Sequence, residues 1–116
     1  MSMKLYKIET FIPESHVEKV LDALNDIGAL SIGGNYDYCV FRTRGIGSWR
    51  PLEGAEPFIG SIGDVCKAEE IKMEFTCKQE MVKEAIKMIK QKHPYEEVVI
   101  NVLPILSYED LDNFGR

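Results

Sequence analysis

Residues 68–77 alternate without a fault. Ile71, Met73, Phe75 and Cys77 fall on one side, and Glu70, Lys72 and Glu74 on the other. A period of two over this length predicts a β-strand with one buried face. Such a face needs a covering layer, and two other stretches supply it. Val17, Val20, Leu21, Leu24 and Ile27 recur at helical spacing, as do Val82, Ala85, Ile86 and Ile89, with Met81 and Met88 on the flanks. The pattern therefore predicts helices packed on a sheet.

The remaining strands follow in chain order. Residues 4–12 alternate, with Tyr6, Ile8, Thr10 and Ile12 on one face and Leu5, Lys7, Glu9 and Phe11 on the other, until Pro13 ends the run. Ser15 stands three residues before Glu18, the spacing of a capping box, and Gly28 falls where a left-handed residue closes a helix. Glu18, Asp22 and Asp26 read as a solvated face of the first helix, and Lys83, Lys87 and Lys90 as that of the second. Gly33-Gly34-Asn35 marks a turn. Tyr36 to Arg42, apolar on both faces, reads as an inner strand. The second helix spans about 78–92, because Pro94 disfavours helical angles at His93. Val98 to Leu103 forms the last strand, closed by Pro104.

The order β-α-β-β-α-β defines an α+β, ferredoxin-like sandwich with both helices on one sheet face. At 116 residues the chain is one domain, with a core over 4–105 and an acidic tail over 106–116. The tail is expected to form a loose turn or helix from Ser107 onward. The second sheet face would carry Leu5, Phe11, Tyr36 or Tyr38, Val99 and Leu103. Apolar surface of that extent is expected to be covered by a loop, by another subunit or by both.

The regular pattern is broken from Thr43 to Gly63, between the second and third strands. Connections of this length in small domains are unusual unless they work or are held by a partner. Glycines open otherwise forbidden backbone angles, and Pro51 and Pro57 fix φ. Ile46, Trp49, Leu52, Phe58, Ile59 and Ile62 distinguish the stretch from a flexible linker. An ordered loop packed on the domain or a neighbour is expected, with a short hairpin as one form it could take.

A formal charge of −5 lacks the basic footprint of a nucleic-acid binder. Cys39, Cys66 and Cys77 are odd in number and without a C-x-x-C spacing, which indicates neither a disulfide framework nor a zinc motif. They read as reduced, largely buried thiols. The first residues show no apolar signal region and no run approaches a membrane span. The expected setting is the cytoplasm, away from membranes.

Two stretches carry a resemblance. One is Gly45-x-Gly47-x-Trp49-x-Pro51-x-x-Gly54-Ala55-x-Pro57-x-Ile59-Gly60. The other is His93-Pro94-Tyr95-Glu96-Glu97. With the opening Tyr6-Lys7-Ile8-Glu9-Thr10-Phe11-Ile12-Pro13 they resemble stand-alone YqfO-type proteins. These are similar to the domain inserted into bacterial Nif-three-like proteins, which looks like CutA and PII trimers. The resemblance spans about 4–105. It implies a PII/CutA-like fold, a homo-oligomer (a trimer first) and a soluble cytoplasmic protein. It implies no activity. The catalytic-looking part of the larger family binds two metal ions through several histidines, whereas this chain has only His16 and His93, so hydrolase or cyclohydrolase labels do not transfer.

The candidate site residues are those of the two motifs: Gly45, Gly47, Trp49, Arg50, Pro51, Gly54, Pro57 and Gly60 in the loop, and His93, Tyr95, Glu96 and Glu97 at the corner. An imidazole with carboxylates can bind a divalent metal or move a proton. It can equally be structural, with His93 favoured at a helix C-terminus and Glu96 or Glu97 paired with Arg44 or Arg50. Alternation would leave only one of the two glutamates beside His93. The glycine-rich loop lacks a P-loop ending, which makes it a weak nucleotide motif. Trp49 and Arg50 suit stacking and anion contact, or anchoring an interface. His16 reads as solvent-facing.

Three functions stay open: a non-enzymatic oligomer binding a small ligand or divalent metal between subunits, a structural or partner-binding module, and an enzyme using His93 with Glu96 or Glu97. The cofactor is unassigned, with a divalent metal as one candidate.

Overall fold

The computed structural model describes residues 4–111. Its elements run β1 (Leu5–Ile12), α1 (Val17–Asp26), β2 (Phe41–Trp49), β3 (Cys66–Lys78), α2 (Val82–Lys92), β4 (Ile100–Ile105) and a short α3 (Tyr108–Leu111). The four strands form one antiparallel sheet in the order β2-β3-β1-β4. This is the ferredoxin-like α+β arrangement expected from the pattern. The acidic tail contains α3 as far as Leu111; residues 112–116 lie outside the described residues.

The helix-covered face holds the core. Ile8, Thr10 and Ile12 of β1 pair with Phe75, Met73 and Ile71 of β3, and Val20, Leu21, Leu24, Ala85 and Ile89 pack over them. Thr10 is the polar member, and its hydroxyl donates to the Val99 carbonyl at 2.7 Å. Cys77 is sealed in the same layer, and burial pushes its thiol up to about 11. The expectation of largely buried thiols holds for Cys77 alone, since Cys39 is exposed and Cys66 half-buried.

Both helices begin alike, through a 3-10 turn over Glu14–His16 and another over Gln79–Met81. The capping box does not form. Neither Ser15 nor His16 caps α1 through its side chain, and the Ser15 hydroxyl lies 2.8 Å from His16 Nδ1 instead. Pro13 and the 3-10 turn set a different entry geometry, with His16 in the cap position. The exit of α1 is as expected. Gly28 has φ +81, and the bonds Ala29 N–H to Leu24 O and Gly28 N–H to Asn25 O close a Schellman motif.

Residues 36–40 are not an inner strand. β2 begins at Phe41, runs through Thr43 to Trp49, and is an edge strand. The residues before it cling to α1. Tyr38 takes a left-handed φ of 52, its amide donates to Asn25 Oδ1, and its hydroxyl donates to Asp22. Arg42 pairs with Glu18 at 2.9 Å. The acidic face of α1 is thus partly occupied rather than merely solvated. Tyr36 and Tyr38 leave the second sheet face altogether.

That second face also differs from the expected apolar sheet. Its centre is a charge lattice: Lys7 to Glu74 at 2.6 Å, Lys72 to Glu74 at 3.2 Å and Lys72 to Glu9 at 3.6 Å. Register places Glu9 directly opposite Glu74. Like charges so placed repel, and the two lysines between them reverse the sign of the interaction. Lys7 and Lys72 hold the Glu74 carboxyl below its usual range. Apolar groups remain at the margins, with Phe41 66 %, Val99 57 % and Leu103 41 % exposed.

β4 starts two residues later than expected and does not stop at Pro104, which pairs with Tyr6. On an edge strand the missing N–H faces outward and costs the ladder nothing.

Candidate functional site

β2 and β3 extend past the sheet as a hairpin, and residues 50–65 fold back from its tip. Gly63 N–H donates to Pro51 O at 2.8 Å and Ala55 N–H to Leu52 O at 2.9 Å. The Trp49 indole N–H reaches across to Ile59 O at 3.1 Å. Gly60, at φ +110, lies with Pro51 and Cys66 packed against it. Pro51 is buried. The stretch is the ordered loop that its composition predicts, though its first seven residues belong to β2.

The loop is fastened to the corner between α2 and β4. Glu56 N–H donates to the Glu96 carboxylate at 2.7 Å. Tyr95 lies between two aromatic rings of the loop side, with Trp49 at 5.6 Å and Phe58 at 6.3 Å between centroids. His16 is not simply solvent-facing, because its ring meets Phe58 edge-on at 5.5 Å. Tyr95 in turn donates its hydroxyl to Glu70 of β3 at 2.8 Å. Burial, then this bond, raises its pKa well above that of a free tyrosine. A Cβ at Gly47 would meet the Glu70 carboxylate, so a larger residue there would have to shift that side chain from its bond to Tyr95.

His93 has a different role from the ones its type suggests. It is 6 % exposed. Its Nε2–H donates to Phe11 O at 2.7 Å, and its Nδ1 accepts the Tyr95 amide proton at 3.2 Å. These two backbone partners fix the neutral tautomer. Burial outweighs the favourable bond to Phe11 and the charge of Glu70, so the imidazole is held below its ordinary pKa. Both ring nitrogens are therefore engaged. His93 fastens the corner to β1 and is free neither to take a proton from a substrate nor to coordinate a metal. Neither Glu96 nor Glu97 pairs with Arg44 or Arg50. Arg44 instead makes a bidentate pair with Glu14 at 2.9 and 3.0 Å and approaches Glu69 at 3.6 Å.

Between hairpin, loop and corner lies a hollow of about 1000 Å³. Gly45, Gly47, Trp49, Arg50, Pro51, Gly54 and Pro57 line it from the loop side, Tyr95, Glu96 and Glu97 from the corner, and Phe11, Glu70, Lys72 and Val99 from the sheet. Of the sequence candidates, Gly60 and His93 are outside the lining and act behind it. Phe58, Glu70 and Lys72 were missed. Phe58 stood in the loop but outside the motif, and Glu70 and Lys72 were legible only as the outward side of β3.

Strand order and register define a ferredoxin-like fold, and its structural neighbours include CutA and GlnK proteins. CutA of Synechococcus elongatus PCC7942 superposes with a TM-score of 0.64 over 90 % of this chain and 80 % of its own at 20 % identity. GlnK of Bacillus subtilis does so with 0.60 over 88 % and 85 % at 19 % identity. The family described as CutA1 divalent ion tolerance protein matches residues 61–111. A Bacillus cereus protein related to NIF3 is similar over 92 % of this chain and 27 % of its own, with 34 % identity and a TM-score of 0.78. The "GTP cyclohydrolase 1 type 2 homolog" of Bacillus subtilis (strain 168) is 38 % identical over 112 residues, 97 % of this chain. The chain has a CutA1/PII-like fold and is related in sequence to a part of NIF3-related proteins. It spans about 30 % of the length of the curated relatives it matches.

A divalent ion does not fit the residues of one copy. Among the described residues no three His, Cys, Asp or Glu side chains converge, and the one histidine at the corner has its lone pair occupied. Among the described residues, too, no helix is long and apolar enough to cross a membrane.

Proposed function

We propose that the chain is a homo-oligomeric PII/CutA-like module that binds a small molecule in the hollow beside the Tyr95–Glu97 corner. A neighbouring copy, in a trimer first, closes the open side. The observation that carries this reading is the double fastening of the loop: Glu56 to Glu96 through a backbone hydrogen bond, and Trp49 and Phe58 against Tyr95. A preformed hollow with apolar walls and a few polar groups is the usual form of a small-molecule site. Phe41, Val99 and Leu103 beside the charge lattice favour contact with a second copy. The enzymatic alternative loses its base, because His93 is engaged by Phe11 and Tyr95.

The purely structural reading differs in one respect: the hollow would be filled by protein. Light scattering at micromolar concentration tests the assembly, and a trimer is expected. A clean monomer defeats the shared cleft. Calorimetry with nucleotides, amines and divalent ions on the wild-type chain, repeated with Trp49→Ala, tests the site. Heat that the substitution abolishes supports a ligand site. No heat from any compound leaves the structural reading.

A further inference from the structure

The charge of the hollow selects its ligand, an inference that rests on the hollow being the binding site. Four carboxylates line it, Glu53, Glu70, Glu96 and Glu97, against Arg44, Arg50 and Lys72. Two of those cations are already neutralised. Arg44 is held by Glu14 and Glu69, and Lys72 by Glu74 and Glu9, none of which lines the hollow. Glu70 and Glu96, by contrast, meet only neutral donors, the Tyr95 hydroxyl and the Glu56 amide. Neither donor brings a positive charge to set against the carboxylate. Arg50 alone is left to oppose four negative groups.

The walls supply a second, independent constraint. Trp49, Phe58 and Tyr95 all line the hollow, and Tyr95 lies within 5.6 Å and 6.3 Å of the other two ring centroids. Aromatic faces attract cations whose shells of water are weak, as in guanidinium and alkylated ammonium groups. A small metal ion is too strongly hydrated to use them and wants converging oxygens, which are lacking among the described residues. A phosphorylated ligand would have to bring its charge among the carboxylates with one arginine in support. We infer that the hollow takes an organic cation with an apolar body, a guanidinium or alkylammonium compound, seated on the three rings and paired with Glu97, an exposed residue of the lining.

Trp49 is the only tryptophan of the chain, so its emission reports on the site directly. The wild-type protein is titrated with benzyltrimethylammonium, agmatine, ATP and zinc chloride, and each titration is repeated by calorimetry. Saturable binding of either organic cation is expected, with ATP and zinc weaker or silent. Glu97→Gln, an exposed and isosteric change, should weaken the cation by about three- to tenfold. Trp49→Phe, followed by calorimetry, should weaken it less than Trp49→Ala. Saturation by ATP with loss in Arg50→Ala, while the cations stay silent, overturns the ligand class and leaves the site standing. Saturation by zinc alone does the same. Silence from all four overturns the binding reading along with the inference.

Discussion

The two β-α halves of this chain start alike and end differently. Pro13, before the first 3-10 turn, has φ −64 and ψ 142; Lys78, before the second, has φ −67 and ψ 146. Val17 and Val82 follow with nearly equal helical angles. The exits diverge. α1 leaves through Gly28 and a Schellman motif satisfied by its own backbone. α2 leaves through His93, extended at ψ 137, whose ring reaches β1 and holds the next residues but one. The first exit only reverses the chain. The second builds a wall. Where the repeat departs from itself, the candidate site is found.

The comparison is sharpened most by removing the second exit. His93→Ala leaves the Phe11 carbonyl and the Tyr95 amide without their partner in a buried place and opens a void. A loss of about 2–4 kcal/mol is expected, read by urea denaturation, with a shift in Trp49 emission as Tyr95 loosens. A loss no larger than that of Gly28→Ala would show that the second exit holds no more than the first.

The same ring gives a pH signature. The folded-state pKa lies below the ordinary 6.5, so the unfolded chain binds the proton more readily. Stability is therefore full above about pH 6.5 and falls as pH drops from there through the folded pKa. His93→Gln should flatten that part of the stability curve, and an unchanged slope would assign it to other groups.

Gly28→Ala tests the first exit. A Cβ there meets nothing within 4 Å, so only the left-handed angle of +81 is at stake. About 1–2 kcal/mol is expected, without any change in Trp49 emission. Tyr95→Phe comes next, at about 1 kcal/mol for the bond to Glu70. The smallest effect falls on the shared entrance. Ser15 caps nothing, so Ser15→Ala should change stability by less than about 0.5 kcal/mol. A loss of about 1 kcal/mol would mean that a capping bond forms in solution after all.

Much of the site was legible in the sequence as residues and little of it as geometry. Trp49, Tyr95, Glu96 and Glu97 do line one hollow. That Glu96 would hold the Glu56 amide, or that Arg44 would turn to Glu14, depends on partners 40 and 30 positions away. His93 shows the limit best. A histidine beside two glutamates offers the same chemistry on paper whether its ring nitrogens are free or bonded, and only the approach of β1 decides which.

By itself the chain of residues determined the order of the elements and the place of most of them, though the second strand, read over Tyr36 to Arg42, lies at Phe41–Trp49. Alternation in β1 and β3, helical spacing in α1 and α2, and the halts at Gly28 and Pro94 are local effects, set by backbone sterics and by which side chains shun water. The tertiary structure decided the rest: the edge position of β2, the charge lattice on the open sheet, and the fastening of the loop to the corner. Each of these pairs groups distant in sequence. Register and distance fix such energies, and neither is written in the order of residues.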